Sequence, residues 1–278
     1  MVMRPRILVV FLFLMLSVIL FAHGTEESSR SAWEVLGIPD PVNILYIATA
    51  VSALGIIAAL LVKDGAASGF QKKVIFAVIA APVAIATLYL AGTTVYLNIV
   101  SETGGPVHWH ADYQIWRCGE EIDLRDPEGL ENRVGAPNIH EHGDNRMHIE
   151  GVLLKNEDAR LANFFELIGG RLTDEYLRIP ANEGEVEMQS GDPCNGNEAE
   201  LQVFVYRITN AQPSQRTDFE YEQIKVEHFD DYVLAPYSNV PPGDCIIIEL
   251  DREKERTDKI CETYRVAIEN GDMGEAGW

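Results

Sequence analysis

Five of the seven histidines fall within 41 residues, as His108-Trp109-His110, His140-Glu141-His142 and the His148 of His148-Ile149-Glu150. Imidazole is the commonest protein ligand for transition metals and titrates near neutral pH. Residues i and i+2 of a β-strand point to the same face, so each H-x-H pair presents two imidazoles together. Two such pairs on separate strands, with His148 and Glu150 beside them, supply the ligands of one ion at about 2.0–2.2 Å. The candidate ligands are therefore His108, His110, His140, His142, His148 and Glu150, with Asp112 and Asp144 placed to orient histidines or to ligate. A nitrogen-rich set of this kind suits Zn²⁺, Cu²⁺, Fe²⁺ or Ni²⁺ far better than Ca²⁺ or Mg²⁺, and copper or zinc is the expected ion. A lone histidine is ordinarily a surface or hydrogen-bonding group, and His23 and His228 are read that way. Convergence of at least three imidazole nitrogens within about 4–5 Å of a common point is the geometric requirement.

These histidines follow three apolar runs. The first, Ile7 to Ala22, comes after Met3-Arg4-Pro5-Arg6 and ends in Ala22-His23-Gly24. It reads as a signal peptide over 1–24 or as a first membrane anchor. The other two, 44–62 and 74–100, are each long enough to cross a bilayer of roughly 30 Å, which makes 25–104 a transmembrane helical hairpin. Neither carries a charge, so they read as an anchor rather than as an ion pathway. Lys63, Lys72 and Lys73 lie in or beside the connection between them, and the positive-inside rule puts that connection in the cytoplasm. Everything from about Ser101 onward is then expected outside the cell membrane.

The net charge is −21, and residues from 101 onward hold 38 of the 43 acids and 16 of the 22 bases. Such a surface excludes nucleic acid as a partner. It attracts cations, and it equally suits solubility in high salt, as does the scarcity of lysine relative to arginine. All four cysteines (Cys118, Cys194, Cys245, Cys261) lie in the same part, as expected of disulfides in an oxidising compartment. Of the three possible pairings, the short loop favours Cys245–Cys261, which leaves Cys118–Cys194. A soft copper site built from cysteine and histidine is the rival reading of these thiols.

The outer part divides into a histidine-rich β domain, 105–200, and a second β unit, 201–278. Val107 to Cys118 alternates as a strand, with His108, His110, Asp112, Gln114 and Trp116 on one face and Trp109, Ala111, Tyr113 and Ile115 on the other, apolar face. A hairpin is expected across 139–154 around Gly143-Asp144-Asn145. Leu161, Phe164, Phe165 and Ile168 repeat at helical spacing, which predicts a short amphipathic helix over 158–168. Segments 125–137 and 183–200 are expected as loops, 252–268 as a terminal helix and 270–278 as a frayed tail. Strands are expected at 177–180, 201–206, 224–227 and 246–250.

His108-Trp109-His110-Ala111, His140-Glu141-His142-Gly143-Asp144 and His148-Ile149-Glu150, with Phe164-Phe165 following, resemble a poorly characterised family of prokaryotic, largely archaeal, membrane-anchored extracytoplasmic proteins. The resemblance covers roughly 107 to 250. It implies the H-x-H … H-x-H-D … H-x-E motif and a β-grasp-like unit toward the C-terminus. Gly143 intervenes before Asp144 here, a departure from that pattern. The implied fold class is a membrane-anchored α+β protein: transmembrane helices, then a β-rich extracytoplasmic region. The function read from all this is metal capture, sensing or delivery. Two rivals stand beside it. One is a metal-dependent enzyme, cupin-like or otherwise, with Glu150 or Glu141 as base, although Gln114 occupies the position of the cupin acid. The other is an interaction module of an envelope complex.

Overall fold

A computed structural model describes residues 32–62, 67–130, 132–212 and 216–276. The apolar run at 7–22, His23, Lys63 and Asp64 lie outside the described residues. The chain divides into two compact units, Met1–Ile99 and Val100–Trp278.

In the first unit a short helix, α1 (Ala32–Leu36), precedes α2 (Pro41–Leu61) and α3 (Gly69–Val100). The Asp40 carboxylate accepts from the Val42 N–H at 2.7 Å and Pro41 takes the first helical position, two ordinary start signals used together. Ala48, Ser52 and Gly55 form a buried stripe of small residues on α2. A side chain at Gly55 would meet Ile79 Cγ1 at 2.7 Å, and the Ser52 hydroxyl donates to the Ile79 carbonyl at 3.1 Å. Small residues thus bring α2 and α3 into close contact, as in membrane helix pairs. The larger apolar side chains, among them Ile47, Leu54, Phe76, Leu88 and Ile99, point outward. Both helices are long and apolar enough to cross a membrane. They start three and five residues before the expected spans of 44–62 and 74–100, so Lys72 and Lys73 fall inside α3.

The second unit is β-rich. Its first strands are β1 (Pro106–Arg117), β2 (Glu120–Ile122), β3 (Val134–Ala136), β4 (Ile139–Glu141) and β5 (Arg146–Val152). A 3-10 turn (Asn156–Ala159) and α4 (Leu161–Leu167) lead to a small sheet of β6 (Arg171–Thr173), β7 (Tyr176–Ala181) and β8 (Gly184–Gln189). After the ribbon β9 (Pro193–Cys194) and β10 (Asn197–Glu198) come β11 (Glu200–Ile208), β12 (Phe219–Val226), β13 (Cys245–Asp251), α5 (Glu262–Glu269) and β14 (Met273–Glu275).

The main sheet has nine strands in the order β14-β12-β11-β13-β1-β5-β4-β3, with β2 pairing to β1. At its centre β1 and β13 run parallel. A strand buried on both faces reads as a continuous apolar run, which Cys245-Ile246-Ile247-Ile248 is. One face packs Ala111, Tyr113, Ile115, Met147, Ile149 and Ile248 against Leu161, Phe164 and Phe165 of α4. The other packs Phe204, Tyr206, Cys245 and Ile247 against Tyr264 and Ala267 of α5. The expected alternation of β1 is therefore present, with its apolar face on the larger core.

Strands from 105–200 and from 201–278 share this one sheet, since β13 sits between β11 and β1. The parallel centre also departs from the antiparallel jelly roll of a cupin. Several local expectations need correction. The loop expected at 125–137 contains β3, which pairs with β4. Segment 183–200 contains β8, β9 and β10, held in part by a disulfide at Cys194. The helix expected over 158–168 is broken at Arg160, which is extended and bridges to Val233, so only 161–167 is α-helical. The terminal helix begins at Glu262 because 252–261 is tied elsewhere. Gln202 binds the Asp251 and Arg252 carbonyls and the Lys254 N–H, and Cys261 is bonded to Cys245. The expected frayed tail supplies β14, which pairs with β12. In each case a non-local partner satisfies backbone or side chain that local pattern left unassigned.

Both disulfides are those favoured from loop length, Cys118–Cys194 and Cys245–Cys261. With all four cysteines bonded to one another, the rival cysteine-copper site has no free thiol.

Candidate metal centre

Register brings the histidines together. On β1 and β5, His110 lies directly opposite His148 and His108 opposite Glu150. On β4 and β5, His140 lies directly opposite His148. His110, His148 and His140 thus form one row across three adjacent strands, all on the face opposite Ala111, Met147 and Ile139. His142 extends the same face past the end of β4. Directly opposed side chains in a sheet sit close enough to share a ligand.

The ring contacts follow this row. His148 lies 4.8 Å from the His110 ring and 4.8 Å from the His142 ring, and it stacks on His140 at 5.5 Å. The ligand nitrogens of His108, His110 and His148 all lie within 4.8 Å of one another, which meets the geometric requirement set by the sequence. Nε2 of His108 and Nε2 of His110 are 2.9 Å apart. Two nitrogens bound to one ion at about 2.0–2.1 Å are roughly 3 Å apart, so this pair already stands at ligand spacing. The Glu150 carboxylate is 3.3 Å from His108 Nε2 and the Asp144 carboxylate is 3.3 Å from His148 Nε2.

Backbone carbonyls fix the tautomers. His110 Nδ1 donates to the Ser238 carbonyl and His142 Nδ1 to the Asn132 carbonyl. A carbonyl only accepts, so each Nδ1 carries the proton and each Nε2 carries a lone pair. This is the outer-shell arrangement that orients histidines toward a metal. Neither Ser238 nor Asn132 is recognisable from side-chain chemistry, because the contact is made by the main chain. Ser238 belongs to a loop anchored by Asp244, whose buried carboxylate accepts from Arg207, the Tyr232 hydroxyl and the Ala235 N–H.

The row ends in a glycine on each side. Gly135 is the β3 partner of His140, with φ +115°. A Cβ there would meet the Ile139 carbonyl at 2.7 Å. At the other end, a Cβ on Gly243 would meet the His110 carbonyl at 2.2 Å. Gly243→Ala is expected to push β1 out of place at His110. The cost is about 1–3 kcal/mol of stability, with weaker metal binding, read from a denaturation midpoint and a metal titration. Unchanged affinity would show that the His110 position tolerates this displacement.

Two sequence candidates are directed elsewhere. Asp112 pairs with Arg146 at 2.9 Å and accepts from the Thr263 hydroxyl, which ties α5 to β1. Glu141 lies on the core side of β4, 1 % exposed, and accepts from the Asp144 N–H at 2.8 Å. It steadies the hairpin turn and faces away from the imidazoles. That removes the geometric basis for Glu141 as a base, because a general base must reach the reacting atom.

Burial lowers the pKa of His110 and His140, and it pushes His148 down to about 4 despite the Asp144 carboxylate. His228 is raised instead, by a 2.9 Å hydrogen bond to Asp174. In the metal-free chain, NMR titration of imidazole carbons is expected to place His228 above 6.5 and His148 far below it. Folded His148 declines a proton that the unfolded chain accepts between about pH 4 and 6.5. Its contribution to stability is therefore full above pH 6.5 and is lost as pH falls through that window. A His148 that titrates at 6.5 or above would contradict the burial argument.

The fold and site together define a disulfide-bonded, β-rich α+β unit with a partly buried histidine cluster that could hold a metal ion. No protein-family model, curated protein or solved structure matches the chain.

Proposed function

We propose that the chain is a membrane-anchored extracytoplasmic metal-binding protein that takes up copper or zinc for capture, sensing or delivery. The observation that carries this reading is the convergence of His108, His110 and His148, with His110 held in a metal-ready tautomer by Ser238. The two disulfides support an oxidising compartment for residues from about 101 onward. The two apolar helices support an anchor, and the lysines at their connection support a cytoplasmic placement for that connection. The acidic composition supports accumulation of cations near the site. We place the chain with the histidine-motif extracytoplasmic family on its residues alone.

The test uses the full chain purified in detergent, loaded with Cu²⁺ or Zn²⁺, freed of excess ion and counted by elemental analysis. At least one tightly held equivalent is expected. Less than about 0.1 equivalent of either metal at pH 7 would overturn the proposal, because neutral imidazoles bind without proton competition there.

A further inference from the structure

We propose that the cluster holds two transition-metal ions, one on each H-x-H pair, with His148 between them. This rests on the metal-binding reading above and extends it to a second site centred on His140 and His142. The two pairs match in their internal geometry, and the first also has the nitrogen of a third histidine, His148, within 4.8 Å. Nε2 of His108 is 2.9 Å from Nε2 of His110, and Nε2 of His140 is 3.1 Å from Nε2 of His142. The ring planes in the two pairs cross at 73° and 76°, with centroids 4.6 Å and 4.7 Å apart. In each pair the second histidine donates Nδ1–H to a loop carbonyl, Ser238 in one and Asn132 in the other. His148 stands 4.8 Å from the ring of each carbonyl-anchored histidine. Glu150 stands beside His108 of the first pair, and Asp144 stands beside the central His148.

One ion on His108, His110 and His148 leaves the second pair without a good arrangement. His142 Nε2 carries a lone pair because its Nδ1 proton is committed to Asn132. His140 is 4 % exposed, and its buried Nδ1 makes no hydrogen bond of normal geometry, with the Ala136 backbone beside the ring. If His140 carries its proton on Nε2, it donates to His142 and leaves Nδ1 as an orphaned buried acceptor. If it carries the proton on Nδ1, two Nε2 lone pairs face each other at 3.1 Å. An ion between the two Nε2 atoms removes that repulsion and uses both lone pairs. At the first pair His110 is locked in the same tautomer, while His108 is exposed and has the Glu150 carboxylate beside its Nε2.

The experiment is metal counting on the full chain in detergent, with Zn²⁺ and separately with Cu²⁺, at pH 7. Wild type is expected to saturate at two equivalents. His140→Gln with His142→Gln is expected to retain one, and so is His108→Gln with His110→Gln. Copper EPR of the wild type at saturation guards against a variant that fails to fold. Two neighbouring Cu²⁺ ions give dipolar broadening and a half-field line that are absent at low loading. Saturation of wild type at one equivalent, with an isolated copper spectrum, overturns the second site and leaves the metal-binding reading standing. Binding of no metal at all overturns both.

Discussion

Replacing His148 with alanine is expected to lower the affinity of the His108–His110 site for Zn²⁺ or Cu²⁺ by at least about 100-fold, since loss of even an outer-shell partner typically costs 10–100-fold. His148 is the cross-strand neighbour of both His110 and His140, so it offers a candidate ligand where the two sides of the cluster meet. It is also the histidine that burial holds most firmly in the neutral form, at a pKa of about 4. A neutral imidazole binds metal without first losing a proton, which keeps this ligand competent in mildly acidic surroundings. Competition with a chelator of known affinity measures the loss, and far-UV circular dichroism checks that the sheet persists. The substitution removes a largely buried ring from the polar face and leaves both hydrophobic cores untouched, so the fold is expected to survive. Wild-type affinity in this variant would show that the ion does not use the row.

Removing the Cys118–Cys194 bridge with paired alanines is expected to destabilise the β-rich unit more than removing Cys245–Cys261. The first closes a loop of sequence separation 76 and the second one of 16. The chain-entropy account gives about 4.5 kcal/mol for the longer loop and about 3 kcal/mol for the shorter. Against a typical total of roughly 5–15 kcal/mol, either loss is large. The longer bridge also ties the end of β1, the strand that carries His108 and His110, to the β9–β10 ribbon. Its loss should therefore weaken metal binding as well. Urea midpoints of the two paired variants test the order. The reverse order would mean that packing around the fully buried Cys245 outweighs loop closure.

Much of the site was legible because its signal is local. H-x-H on an alternating strand gives two imidazoles on one face whatever the strand pairs with, and both H-x-H strands formed, although β4 reaches only as far as Glu141. The β4–β5 hairpin was legible from its Gly143-Asp144-Asn145 turn, and the core role of Phe164 and Phe165 from helical spacing. The misreadings have a common cause. Segments 134–136, 184–198 and 273–275 are too short, too polar or too glycine-rich to read as strands alone. They become strands because a neighbour's edge takes up their backbone groups. The same applies in reverse at 252–261, where charge and spacing suggest helix but Gln202 and the disulfide at Cys261 hold the chain in an irregular path.

Sequence alone therefore determined the candidate ligand types, their pairing within each strand, the two apolar helices and the preferred cysteine partners. Each of these depends on composition or on spacings of a few residues. Only the tertiary structure decided that His148 stands between the two pairs, that Asp112 is taken up by Arg146 and Thr263, that Glu141 faces the core, and that the Ser238 and Asn132 carbonyls set the tautomers. Those outcomes depend on strand register and loop placement. Contacts between residues as far apart as His110 and Ser238 arise from how the whole sheet closes, and no local periodicity encodes them.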